Sequence, residues 1–188
     1  MDTKSTNAQN IKHQIKSILT YIGEDVTREG LIDTPIRMIK SFNQLFEGYN
    51  KNAHDILNST FTDKCDEMII LKNIDFYSTC EHHFLPFFGK VHIGYLPNKK
   101  IVGISKLARL VEMYSRRLQI QERLTLQIAE DIYNILDSKG CIVIIKAQHF
   151  CITSRGVQKQ NAEMITSSIK GVFEKNEPRT EFLKLIDL

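Results

Sequence analysis

Lys90-Val91-His92-Ile93-Gly94-Tyr95 alternates polar or small residues with β-branched and aromatic ones, the period-two pattern of a strand with one buried face. Upstream, Met68 to Leu71 is a short apolar run and reads as a second strand. Downstream, Pro97-Asn98-Lys99-Lys100 is turn chemistry, which predicts that the chain returns over Ile101 to Ile104 as a hairpin. Ser105 then stands as the cap of a helix with Leu107, Leu110, Val111 and Tyr114 on one face. A second helix carries Leu124, Ile128, Ile132, Ile135 and Leu136 before Gly140, and Cys141 to Phe150 reads as a buried strand. On the N-terminal side, Ile11, Ile15, Ile18, Leu19 and Ile22 recur at helical spacing ahead of a stop at Gly23. Thr34 caps a further helix, with Pro35 at its first position and a stripe of Met38, Ile39, Phe42, Leu45 and Phe46. Helices grouped between strands, rather than alternating with them, predict an α+β fold: an antiparallel sheet with helices on one face. The division expected is a helical N-terminal arm over 1–50 and a main domain over 51–188, together one functional unit with no repeat or low-complexity linker.

The chain has 188 residues, of which 42% are hydrophobic and 25% charged, enough for one substantial core. A formal charge of +3 argues against a protein that wraps nucleic acid, yet allows a local basic pocket for an anionic small molecule. The N-terminal stretch is polar, and no run approaches the ~20 apolar residues of a membrane helix, so no membrane partner and a cytoplasmic location are expected. In a reducing compartment the four cysteines form no disulfide framework, which leaves Cys80 and Cys151 free for metal while Cys65 and Cys141 pack.

Cys80-Glu81-His82-His83 and the later His149 and Cys151 give two soft or borderline donors in each of two segments, the way one zinc site is assembled. Cys80 and His83 lie three apart in the loop between two strands; His149 and Cys151 lie two apart, a spacing that shares a face on a strand. A closed structural site would use both cysteines and two histidines. A Cys, His, Cys set would leave a fourth position for water, as catalytic zinc does, with His82 and His149 over for moving protons.

Ser105, Lys106 and Arg109 gather a hydroxyl and two cations at a helix start, a ready phosphate site. Arg155 follows Cys151 within a few residues, and Arg37 and Lys40 add a basic pair on the second helix. Bracketing the metal ligands, these cations point to a polyphosphate-bearing substrate. Glu122 opens the second long helix, where an acid also suits the helix dipole. As a recognition group its carboxylate would accept two parallel hydrogen bonds from the ring N–H and exocyclic amine of guanine, a pair that adenine does not offer.

Cys80-Glu81-His82-His83-Phe84-Leu85-Pro86-Phe87, Gly103-Ile104-Ser105-Lys106-Leu107-Ala108-Arg109, Gln119-Ile120-Gln121-Glu122-Arg123-Leu124-Thr125 and His149-Phe150-Cys151 with Arg155-Gly156-Val157 together resemble GTP cyclohydrolase I. Arg28-Glu29-Gly30-Leu31, Thr34-Pro35-Ile36-Arg37 and Arg179-Thr180-Glu181-Phe182-Leu183 extend the likeness to nearly everything after the first helix. The resemblance implies the tunnelling fold and a toroidal homodecamer with active sites shared between neighbouring subunits. It implies zinc on Cys80, His83 and Cys151, His82 and His149 in proton transfer, and Gln121 and Glu122 at the guanine. It also implies Ser105, Lys106, Arg109, Arg155, Arg37 and Lys40 toward the triphosphate. The activity implied is opening of the imidazole ring of GTP, release of formate and recyclisation to 7,8-dihydroneopterin triphosphate. Two other readings differ at the level of residues. A zinc nucleoside deaminase would need His-x-Glu with Pro-Cys-x-x-Cys, which is absent. A scaffold merely stapled by zinc would have no use for the surplus histidines.

Overall fold

The computed structural model describes residues 3–62 and 65–187, in two compact units, Met1–Glu47 and Gly48–Leu188. The first unit holds helices α1 (Thr3–Tyr21), α2 (Glu29–Ile32) and α3 (Thr34–Leu45). α1 ends as expected at Gly23, whose φ of +95° is the left-handed conformation that glycine adopts without strain after a helix. Of its apolar stripe Ile15 is buried, whereas Ile18 and Ile22 are exposed. Thr34 is the first residue of α3 rather than its cap; Asp33 takes that position, and the Thr34 hydroxyl donates to Gly30 O instead.

The second unit runs α4 (Ala53–Leu57), β1 (Thr60–Phe61), β2 (Ile69–Cys80), β3 (Pro86–Leu96), β4 (Ile101–Val102), α5 (Ile104–Ser115), β5 (Leu118–Gln119), α6 (Gln121–Ile135), β6 (Gly140–His149), α7 (Phe150–Thr153), β7 (Met164–Gly171) and α8 (Asn176–Leu185). Its main sheet has the order β5-β2-β3-β6-β7, antiparallel throughout except for the parallel β5–β2 edge, so the sheet is mixed. The expected hairpin is not formed. β3 already has β2 on one side and β6 on the other, so the returning segment β4 finds no free edge and pairs with β1. The Val102 N–H donates to the Tyr95 hydroxyl, tying the departing chain back to β3. Likewise, Gly103 and not Ser105 caps α5; Ser105 lies inside its first turn.

One face of the sheet carries Phe87, Val91, Ile93 and Tyr95 of β3 and Cys141, Val143, Ile145 and Ala147 of β6, packed with Leu107, Leu110 and Val111 of α5 and Leu124, Ile128 and Ile132 of α6. Helices were expected on this face alone, but α8 covers part of the other. There Phe182 joins Ile142, Ile144, Phe173 and Ile186 in a smaller cluster. Gly94 makes this possible, because a Cβ at that position would come within 2.6 Å of the Phe182 ring. β2 carries a bulge between Leu71 and Ile74, with Asn73 at φ 62°, where three steps along β2 match two along β3. Among the described residues no helix is long and apolar enough to cross a membrane.

Candidate metal centre and active-site cavity

Cys80 closes β2, and the turn after it is fixed by the backbone: Cys80 N–H bonds to Leu85 O at 2.8 Å, and Cys80 O accepts from Phe84 N–H at 2.9 Å. A single helical turn brings residues three apart onto one side, and Phe84, at φ 58°, swings the chain back into β3. Cys80 Sγ and His83 Nδ1 therefore meet at 3.9 Å. Cys151 arrives from across β3, where β6 sets His149 opposite Phe87 before the chain turns into α7. Cys151 thus sits in a helical turn and not at a strand end, and its approach to the site owes nothing to strand alternation with His149.

The donor atoms of Cys80, His83 and Cys151 all lie within 4.8 Å of one another. Tetrahedral zinc, with bonds of about 2.3 Å to sulfur and 2.0–2.1 Å to nitrogen, sets such donors roughly 3.5–3.8 Å apart, so the set fits after closing by at most roughly 1.3 Å. Burial, and then the neighbouring Cys80 sulfur, push the Cys151 thiol up, a cost that a cation bound between the two would reverse. The other two cysteines have no such company. Cys141 is fully buried and its thiol is pushed up by burial, and Cys65 Sγ faces Glu67 O at 3.6 Å.

His82 and His149 border the same cavity of about 260 Å³, together with Glu122 and the apolar side chains of Ile120, Ile152 and Met164. His82 is exposed, its Nε2 3.9 Å from the Glu81 carboxylate. Glu81 is in turn paired with the Arg123 guanidinium of α6, which holds its carboxyl below the usual range. His149 is half-buried and stacked on Phe87, ring centroids 4.6 Å apart and planes 7° from parallel. Burial lowers its pKa, with the nearby Glu122 charge opposing, so the ring is neutral at pH 7.

Gln121, expected at the guanine, is 1% exposed, and both ends of its amide are engaged inside the protein. Its Nε2 donates to Ile145 O, Met164 O and Thr166 Oγ1, and its Oε1 faces His149 Nε2 at 2.8 Å. The amide protons are thus spent inside the protein, although Gln121 borders the same cavity. Ser105, Lys106 and Arg109 do not line the cavity; they belong to the opening turns of α5. Arg155 follows α7, close enough for its charge to act on Cys151. Arg37 lies in the first unit and spends its guanidinium on Gly30 O and Thr34 Oγ1, with Lys40 one turn further along α3. The Glu81–Arg123 pair, the Phe87 stack and Thr166 have no role in the sequence reading. None carries a local signal, since each matters only through a partner distant in the chain.

Three soft or borderline donors around one point, with an acid and two further imidazoles beside them, form a candidate metal site at the edge of a cavity sized for a small molecule. The model of the family GTP cyclohydrolase I matches residues 11–187. Over 175 residues the chain is 53% identical to GTP cyclohydrolase 1 of Wolinella succinogenes, covering 92% of this chain and 94% of that one. It is 53% identical over 180 residues to the Saccharomyces cerevisiae protein of the same name, covering 95% of this chain and 74% of that protein. For the Porphyromonas gingivalis GTP cyclohydrolase 1 the figures are 48% over 184 residues, 97% and 95%. The chain belongs to the GTP cyclohydrolase I family. The solved structure of the archaeosine synthase QueF-Like in the apo form aligns with a TM-score of 0.49 at 18% identity, over 57% of this chain and 97% of that one.

Proposed function

We propose that Cys80, His83 and Cys151 hold a zinc ion, and that the adjoining cavity binds the guanine of GTP. The reaction is that of the family: hydrolytic opening of the imidazole ring of GTP with loss of formate, then recyclisation to 7,8-dihydroneopterin triphosphate, the first step of tetrahydrofolate and pterin synthesis. The chain is an enzyme of this kind. The observation that carries the site assignment is the convergence of the three donors with His82, Glu122 and His149 on one cavity. Zinc, when bound, supplies the Lewis acidity that makes water a nucleophile near neutral pH. His149, kept neutral by burial, takes up a proton; His82, exposed beside Glu81, hands over a second. Glu122 accepts the paired hydrogen bonds of guanine and rejects adenine, which would leave it unpaired. A closed structural site finds less support, because neither His82 nor His149 joins the donor cluster and the His149 Nε2 is already bonded to Gln121.

Ser105, Lys106 and Arg109 lie outside the lining of their own chain's cavity. Along α5, at 1.5 Å per residue, Ser105 is about 15 Å and Arg109 about 9 Å from Ser115, the end that leads into β5 beside Cys80. We assign them to the triphosphate of a GTP in a neighbouring copy, with Arg155 contributed by the chain that holds the zinc. This reading needs a homo-oligomer with shared sites, for which the tunnelling fold and a decamer are the arrangement the resemblance implies. Purified protein incubated with GTP should release formate and yield a fluorescent oxidised pterin. Absence of both with zinc bound would refute the activity, and full turnover by a species that light scattering shows to be monomeric would refute the shared site.

A further inference from the structure

We infer that Gln121 is a positioning residue for His149: it locks the ring as the Nε2–H tautomer and leaves Nδ1 as the nitrogen that exchanges a proton with the substrate. The inference rests on the cavity being the site of GTP chemistry, and it reverses the assignment of Gln121 to the guanine.

The atoms that can donate fix the orientation of the Gln121 amide. Gln121 Nε2 lies 3.1 Å from Ile145 O, 3.0 Å from Met164 O and 3.1 Å from Thr166 Oγ1. The two carbonyls can only accept. The third neighbour is also an acceptor here. Thr125 gives its one hydroxyl proton to Gln121 O at 2.7 Å, so the 2.6 Å contact between Thr125 and Thr166 uses the Thr166 proton. Thr166 has none left for Gln121. The amide atom facing these groups is therefore the NH₂, and the atom facing His149 is the carbonyl oxygen. A flipped amide would press an oxygen against two backbone carbonyls inside the protein, at 1% exposure, and each unpaired group costs on the order of 1–3 kcal/mol.

An amide oxygen accepts and cannot donate, so His149 Nε2 must carry the proton in the 2.8 Å contact. The 7° stack on Phe87 restricts tilting of the same ring. The two contacts fix orientation and tautomer together, in the way a partner on the far nitrogen orients a catalytic imidazole. Gln121 itself opens α6, and its amide reaches β6 and β7, so a helix start and two strands jointly hold one side chain.

Zinc-loaded protein carrying ring-¹⁵N histidine, studied by solid-state NMR at about pH 8, above the ordinary titration range of an imidazole at about 6.5, tests the lock directly. His149 resonances, identified by their loss in His149→Asn, should show a protonated Nε2 and a bare Nδ1; a protonated Nδ1 overturns the inference. Gln121→Met, which keeps length and loses both amide ends, should lower kcat about 10–100-fold, with KM for GTP held within about twofold and zinc retained. A rise in KM at preserved kcat would return Gln121 to the guanine. Should Gln121→Met fail to fold, the NMR result on the unaltered chain decides alone. That result does not depend on turnover, so a chain that releases no formate from GTP would sink the proposed function while leaving the tautomer lock standing.

Discussion

Replacing Cys151 with alanine removes the one proposed zinc ligand that comes from the second half of the site. What remains is Cys80 Sγ and His83 Nδ1, 3.9 Å apart on a single turn, a two-donor chelate open to solvent on the His83 side. Structural zinc bound by four such ligands is worth about 10–16 kcal/mol at pH 7, or roughly 2.5–4 kcal/mol per ligand if shared evenly. At 1.4 kcal/mol per factor of ten, Cys151→Ala should hold zinc about 10²–10³-fold more weakly. The fold should survive, because Cys151 is half-buried in α7 and outside the strand ladders, where a substitution shifts stability by about 1 kcal/mol or less. The assay is elemental analysis after dialysis against a competing chelator, together with a zinc titration of the stripped protein. His82→Ala is the companion: it should keep its zinc and lose most turnover, since His82 is outside the donor cluster. A Cys151→Ala chain that still carries one zinc through the same dialysis would refute the ligand assignment, whatever its activity.

Glu122→Gln exchanges one acceptor for a donor against guanine and should weaken GTP about 10-fold or more in equilibrium titration. An unchanged affinity would reduce Glu122 to a favourable charge at the start of α6. His92 gives a test of acid stability away from the metal. It is 4% exposed with Nδ1 unpaired, and burial, followed by the charges of Lys146, Lys72 and Lys90, holds its pKa below the ordinary 6.5. Below that ordinary value the unfolded chain takes up a proton that the folded chain refuses, so stability falls as pH drops through about 6.5 toward the depressed value and is unaffected above it. His92→Leu should therefore flatten the fall of Tm between about pH 7 and pH 5, and an unaltered slope would show that this histidine is not what limits acid stability.

The strand at Val91 to Tyr95, both long helices after it and the strand from Cys141 were legible because each keeps one period over a buried face. β7 and α8 were not read at all. β7 is an edge strand whose Thr166, Ser167 and Ser168 dilute the apolar alternation, and α8 buries little besides Phe182. β2 was recognised only at its first residues, since Lys72, Asn73 and Asp75 interrupt the pattern at the bulge. Within the site, residue types announced donors and acids. The surroundings of Gln121 were not legible, because its amide reaches two strands that no local pattern around it could reveal.

The Asn73 bulge has a meaning for chemistry that lies in parity. Ahead of it, odd-numbered Ile69 and Leu71 face the larger core; beyond it, even-numbered Phe76 and Cys80 do. A β2 of the same length that ran straight through Asn73 without the bulge would carry Tyr77 and Thr79 inward and turn Cys80 outward, away from the side on which β6 delivers Cys151. The side to which Cys80 points is thus decided by a backbone irregularity seven residues before it, and a strand that stayed regular there would break up the donor cluster as surely as the loss of a cysteine.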